Sequence, residues 1–171
     1  MMDMQQPARE RYTYMGRLAW IDTPETWLFR PLTKGDAFAL SKLMFEAYQG
    51  TIDDMGETYT DAVEEVRAIF EGKKYGEVIQ GGTFTIEGED GDLQAAVITT
   101  NSPDFDAPLI AFLMVHPDHQ SQGMGHYILS VAMESMVKNG GVERAYAVIT
   151  AGNEPSERLF ERVGFERLIE E

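Results

Sequence analysis

A chain of 171 residues, 43% hydrophobic and 25% charged, has the size and apolar content of one folded domain, not of a disordered or fibrous protein. Its 29 acidic residues against 14 basic ones give a net charge of −15, which repels nucleic acid and anionic membrane and attracts cationic partners. The lack of cysteine excludes disulfides, thiol nucleophiles and cysteine-ligated zinc. No run reaches the ~18 apolar residues of a membrane span, and Met1–Pro7 lacks the apolar core of a signal peptide, so a cytoplasmic location is expected.

Residues 1–27 carry Arg9, Arg11, Arg17, Tyr12, Tyr14, Trp20 and Trp27 without a clean period. They are read as an N-terminal extension holding an added strand over Tyr12–Ile21, whose aromatics dock on the same domain or on a second copy of the chain. A homodimer is therefore one of the expected partnerships. The domain proper, residues 28–171, opens with a short strand over Trp27–Leu32. Thr33-x-x-Asp36 resembles a capping box, and Leu40, Leu43, Met44, Ala47 and Tyr48 follow at helical spacing up to Gly50. A second helix is expected from Asp61, with Val63, Val66, Ile69 and Phe70 on one side. Gly72 and Gly76 end it.

From Gly81 the period shortens. Thr83–Ile86 and Leu93–Thr100 flank an acidic, glycine-containing turn and read as a hairpin. Leu109–Val115 is apolar throughout, the pattern of a strand buried on both faces. A glycine loop and a long helix to about Lys138 follow, then a strand over Arg144–Thr150. Asn153 caps a short helix with Pro155 in its first turn and Gly164 at its end, and Phe165–Ile169 can add a last strand. The sum is an α/β fold, a mixed central sheet flanked by helices, antiparallel in its first half.

The informative segment is Val115-His116-Pro117-Asp118-His119-Gln120-Ser121-Gln122-Gly123-Met124-Gly125. Glycines let the backbone approach a ligand, and the free N–H groups of a helix start favour an anion, with pyrophosphate the natural occupant. The segment has neither the lysine of a nucleotide P-loop nor the third glycine of a dinucleotide fingerprint. His116, His119 and His126 lie close together in sequence, yet with Asp118 they make a poor metal site, and no metal is expected.

Gln120-x-x-Gly123-x-Gly125 resembles the Gln/Arg-x-x-Gly-x-Gly/Ala signature of the GCN5-related N-acetyltransferases. The stretch from Asn153 through Leu159-Phe160 to Gly164-Phe165 is similar to that family's second landmark. The resemblance spans roughly residues 28–168. It implies the acyl-CoA N-acyltransferase fold and acetyl-CoA as acyl donor. The main chain of Leu113, Met114 and Val115 would pair with the pantetheine arm. The amides of Gln120, Ser121, Gln122, Gly123, Met124, Gly125 and His126 would cradle the pyrophosphate, and Asn153 would meet the cofactor near its thioester end.

The implied reaction is direct attack of an amine on the thioester, the oxyanion being held by a backbone N–H near Met114 or Val115. Two departures stand out. Phe160 occupies the place where the family often has a tyrosine as acid, and Leu109–Val115 lacks the carboxylate that often serves as base. His116 and Tyr127 are the remaining candidates for proton transfer. The acidic stretch Asp53, Asp54, Glu57, Asp61, Glu64 and Glu65 lies where the family forms its acceptor site, which favours a cationic primary amine on a small molecule or peptide. Two rival readings are an acyl-CoA-binding module with little turnover and an acyltransferase with another acyl group or a hydroxyl acceptor.

Overall fold

A computed structural model describes residues 9–19 and 23–169. In chain order the strands and helices are β1 (Arg11–Arg17), β2 (Arg30–Pro31), α1 (Ala37–Tyr48), α2 (Tyr59–Glu71), β3 (Glu77–Val78), β4 (Phe84–Glu87), β5 (Leu93–Asn101), β6 (Leu109–Val115), α3 (Met124–Gly140), β7 (Arg144–Thr150), α4 (Glu154–Arg162) and β8 (Phe165–Arg167). The sheet runs β2-β4-β5-β6-β7-β1-β8, with β3 paired to the end of β5. Every neighbouring pair is antiparallel except β6 and β7.

Helices cover both faces, as the mixed α/β reading expects. On one face Leu40, Leu43 and Met44 of α1 and Val66 and Ile69 of α2 bury against Ala96, Ile98 and Met114. On the other, Ile128, Leu129, Ala132 and Met136 of α3 and Phe160 of α4 bury against Val97, Ile110, Ala147 and Ile149. Each fully buried aliphatic side chain contributes about 1.5–3 kcal/mol, so these faces set which side of every strand points where.

Local signals explain the helix starts. Asp36 accepts the Thr33 N–H at 2.9 Å, so the expected capping box forms, on a short 3₁₀ turn just ahead of α1. Arg30 grips the same carboxylate with both guanidinium nitrogens, at 2.9 and 2.8 Å. The second helix begins at Tyr59 instead of Asp61. Thr58 accepts the Asp61 N–H at 3.2 Å and Asp61 accepts the Thr58 N–H at 2.8 Å, a second capping box that fixes the start two residues earlier.

The N-terminal strand is shorter than expected and differently used. It covers Arg11–Arg17, while Trp20 and Ile21, the far part of the expected strand, lie outside the described residues. It lies inside the sheet, between β7 and β8. It pairs with β7 along its whole length, from Arg11 opposite Thr150 to Arg17 opposite Arg144. On its other side Tyr14–Gly16 pairs with Phe165–Arg167. Gly16 is required there, because a Cβ would sit 2.4 Å from the buried ring of Phe165. The strand expected over Trp27–Leu32 shrinks to Arg30–Pro31, opposite Thr85 and Phe84, with Leu32 donating to the Thr83 carbonyl at 3.2 Å just beyond it.

Candidate functional site

Strand β6 contains one residue too many. Against β5, Phe112 lies opposite Ile98 while Ile110 lies opposite Thr99, leaving Ala111 as a bulge. The bulge reverses the alternation of side chains. Ile110 joins the α3/α4 core, yet so do Leu113 and Val115, whereas Phe112 and Met114 turn to α1 and α2. A bulge also bends a strand and raises its twist. The pairing of β6 with β7 accordingly stops at Leu109–Tyr146 and Ile110–Ala147.

Beyond that point the two parallel strands part. The β7-facing backbone of Ala111–Val115 pairs with no strand, and Ala111, Phe112, Leu113 and Val115 are only half-buried. Burial on both faces therefore holds for Leu109, Ile110 and Met114 but fails for the rest, because they line a gap. An extended backbone edge of this kind can take another extended chain by strand-like pairing.

The loop after β6 forms the floor of the gap. Pro117–His119 is a 3₁₀ turn, Ser121 has φ 65°, and Gly123, the N-cap of α3, has φ 84°. Ser121 is the one non-glycine residue with positive φ among the described residues, a conformation that costs free energy and turns successive amides the same way. Among the described residues the N–H groups of 121–126 find no protein acceptor, and no side chain caps α3. Such orphan amides and the helix dipole make an anion cradle. The Gln120 side chain closes it, donating to the Val115 carbonyl at 3.3 Å. Gly125 packs so tightly that a Cβ would lie 3.0 Å from Leu159 and 3.3 Å from Val115.

Asn153 caps α4, its Oδ1 accepting the Ser156 N–H at 3.3 Å. Its Nδ2 donates to Asp53 at 3.2 Å, and the Thr150 hydroxyl donates to the other oxygen of Asp53 at 2.6 Å. The loop between α1 and α2 is thereby tied to the end of β7. Across the gap, the Tyr75 ring meets Phe112 edge-on at 5.1 Å, and the Tyr75 hydroxyl donates to Glu65, which also pairs with Lys74 at 2.7 Å. Burial, then the charges of Asp53, Tyr75 and Glu65, push the Tyr48 phenol well above its ordinary value. At the mouth, Asp53, Thr150 and Asn153 meet at the end of β7, and Tyr75, held by Glu65, meets Phe112 of β6.

The two proton-transfer candidates are committed elsewhere. His116 Nδ1 accepts the Asp118 N–H at 3.1 Å, which leaves the proton on Nε2 to be donated to Glu46 at 2.7 Å. The Tyr127 hydroxyl donates to the Trp27 carbonyl at 2.8 Å, and its ring lies against Trp27 and Phe29, beside β4. Phe160 is 5% exposed and packs edge-on to Phe165 at 5.1 Å, as a core aromatic does. His126 sits half-buried in the first turn of α3. Among the described residues no group of three or more His, Asp or Glu could hold a metal ion.

Sequence reasoning passed over Tyr75, Thr150 and Glu46, and took Tyr48 only as part of an apolar helix face. Periodicity marks such residues as core or surface; only the fold brings them to one place. Asp53 was visible only as one carboxylate of an acidic run.

An unpaired strand edge leading into a cradle of free amides suits a ligand with an extended arm and an anionic end. Comparison with known proteins agrees. The model of the acetyltransferase (GNAT) family matches residues 43–165. No curated protein matches the chain. Among solved structures, a GCN5-related N-acetyltransferase from Sphaerobacter thermophilus has the same fold, with TM-score 0.67 and 14% identity over 95% of this chain and 50% of that one. The chain thus spans about half the length of that protein. Diaminobutyrate acetyltransferase EctA from Paenibacillus lautus, in complex with L-2,4-diaminobutyric acid and coenzyme A, aligns with TM-score 0.55 and 18% identity, covering 79% of this chain and 72% of that one. The protein yncA from Salmonella typhimurium, in a structure with its cofactor acetyl-CoA, aligns with TM-score 0.57 and 22% identity, covering 80% of this chain and 78% of that one. The gap, the cradle and the matched segment together make this chain a member of the GNAT acetyltransferase family.

Proposed function

We propose that the protein transfers the acetyl group of acetyl-CoA to a primary amine of a small molecule or peptide in the cytoplasm. The observation that carries this reading is the end of β6–β7 pairing at Ile110 and Ala147, directly before the free amides of 121–126. In the proposal, the main chain of Leu113–Val115 pairs with the pantetheine arm. The amides of Ser121 to His126, closed by the Gln120 side chain, hold the pyrophosphate; the Gln120 amide, expected among them, donates instead to the Pro117 carbonyl at 3.5 Å. The thioester then lies in the gap between β6 and β7, with a backbone N–H near Met114 or Val115 for its oxyanion. Asn153, which caps α4 and donates to Asp53, meets the cofactor near its thioester end in this proposal. Structures of the fold that hold acetyl-CoA, or coenzyme A with a diamino acid, support the choice of donor and acceptor class. The net charge of −15 and the carboxylates at the mouth favour a cationic acceptor. A second copy of the chain remains a candidate partner.

One observation favours a second reading. With no ionisable side chain on Leu109–Val115 and no hydroxyl at Phe160, the chain could hold acyl-CoA with little turnover. Calorimetry with acetyl-CoA, followed by coenzyme A release across a panel of amines, separates the two. Acetyl-transfer requires both; a binding module gives only the first. Gly125→Val should weaken acetyl-CoA binding at least tenfold, about 1.4 kcal/mol, because the added side chain meets Leu159 and Val115 and tilts the amides. Unchanged affinity in a folded Gly125→Val protein would remove the pyrophosphate from this loop.

A further inference from the structure

The gap contains a carboxylate whose place suits proton removal. We propose that Asp53 receives the acceptor amine and takes its proton as the amide bond forms, an assignment that rests on the acetyl-transfer reading. Strand β6 offers no ionisable group, and His116 and Tyr127 are engaged through all their polar side-chain atoms. Of the carboxylates nearby, Glu46 holds His116, and Glu65 holds Tyr75 and Lys74. Asp54 accepts the Gly50 and Gly56 amides at 2.8 and 2.9 Å, Glu57 the Met55 amide at 2.7 Å, and Asp61 the Thr58 amide at 2.8 Å. Those bonds build the α1–α2 loop itself.

Asp53 alone in that set reaches out of the loop, to Thr150 and Asn153. Ile52 packs alongside: its Cδ1 lies 3.2 Å from where a Cβ of Gly152 would be. The carboxylate therefore lies at the open end of β7. On the facing strand, the Tyr75 ring lies edge-on to Phe112 of β6. Its two hydrogen bonds come from neutral donors, one to each oxygen, so each oxygen keeps a lone pair for an amine. Among the described residues no cation pairs with it. The charged and titratable groups around it are Tyr48 on α1, Arg9 ahead of β1 and Asp54 beside it, Glu65 and Tyr75 beyond Tyr48, and Glu154 and Glu157 in the first turn of α4.

The acceptor ammonium first gives one proton to water, and the resulting neutral amine attacks the thioester carbonyl carbon as a C–N bond forms. The nitrogen, now carrying positive charge, is acidic enough to give its proton to the Asp53 carboxylate. The C–S bond breaks, sulfur leaves with its electron pair as the thiolate, and Asp53 returns the proton to water.

Asp53→Asn is the test, because the amide oxygen still accepts from Thr150 or Asn153 and the bridge is largely kept. The acceptors are 1,4-diaminobutane and a lysine-containing peptide, at saturating acetyl-CoA. Asp53→Asn should lower kcat at least 100-fold, within the range of general-base catalysis. Its acetyl-CoA Kd should stay within twofold of the parent. The parent log(kcat/KM) should gain one extra unit of slope on the acid side, and Asp53→Asn should lack it. Thr150→Val removes one hydrogen bond but keeps the carboxylate, so it should lose less than tenfold in kcat and retain the slope. Activity within threefold of the parent, an effect confined to KM, an unchanged slope, or an equal loss in Thr150→Val would each overturn the assignment. A parent protein that binds no acetyl-CoA, or releases no coenzyme A with either amine, would overturn the acetyl-transfer reading beneath it.

Discussion

Strands β2, β4, β5 and β6 form one half of the sheet, and β7, β1 and β8 form the other. In the first half the long pairings join strands adjacent in the chain, β4 to β5 and β5 to β6, and helices bury both faces. In the second half the central strand comes from the other end of the sequence, and one face stays open enough to leave Val148 41% exposed. The halves share only two residue pairs. Each must therefore hold its own shape, or the gap between them would close or collapse. The candidate site lies at the seam because the seam is where backbone groups are left unpaired.

Removing the bulge should break this arrangement most completely. Deleting Ala111 forces either Leu109–Ile110 or Phe112–Val115 onto the wrong face and lets β6 continue alongside β7. Acetyl-CoA binding should fall more than 100-fold, measured by calorimetry, with a lower melting temperature. Parent-like binding would show that something other than the bulge sets the gap. A smaller effect is expected from Gly16→Val, which drives a side chain into the Phe165 ring. It should cost about 3 kcal/mol, or roughly 6–12 °C in melting temperature. Hydrogen exchange should then accelerate first in β7, β1 and β8. Equal acceleration in β4 and β5 would mean that the halves unfold as one unit.

The smallest effect belongs to the first half. Arg30 above all, helped by the Thr33 amide, holds the Asp36 carboxyl below its ordinary value. A lowered carboxyl value gives stability that is complete above the ordinary carboxylate range and is lost as pH falls through the lowered value. Asp36→Asn should cost about 1 kcal/mol at neutral pH. The difference from the parent should shrink under acid, as denaturant melts at several pH values would reveal. A difference that persists in acid would assign the loss to packing instead of charge.

Most elements after Arg30 were legible because their signals are local. The α1 spacing, the hairpin around Glu87–Asp92, the Gln120–Gly125 loop and the Asn153 cap each lie within a few residues. The position of β1 was not. Its inward residues Tyr14 and Gly16 include a glycine, so alternation fails to mark the strand, and its neighbours lie far along the chain. The cradle was readable from two glycines, whereas the strained Ser121 carries no sequence signal. The mouth was least legible. Asp53 is one carboxylate among many until Thr150 and Asn153 meet it, and Tyr75 lies between glycines without any period.

The placement of β1 also bears on how the protein is made. A ribosome releases the chain from its N-terminus at about 5–20 residues per second, so Arg11–Arg17 emerges many seconds before its partner Arg144–Thr150 exists. The first-half strands and their helices can collapse during that interval, but Tyr14 and Leu18 have nowhere to bury. The second half must wait for residues 144–167, and its oldest strand is inserted between its two youngest. Order of synthesis and order of assembly are thus inverted in this half of the molecule. The gap acquires its second wall only once β7 has been made, long after β6.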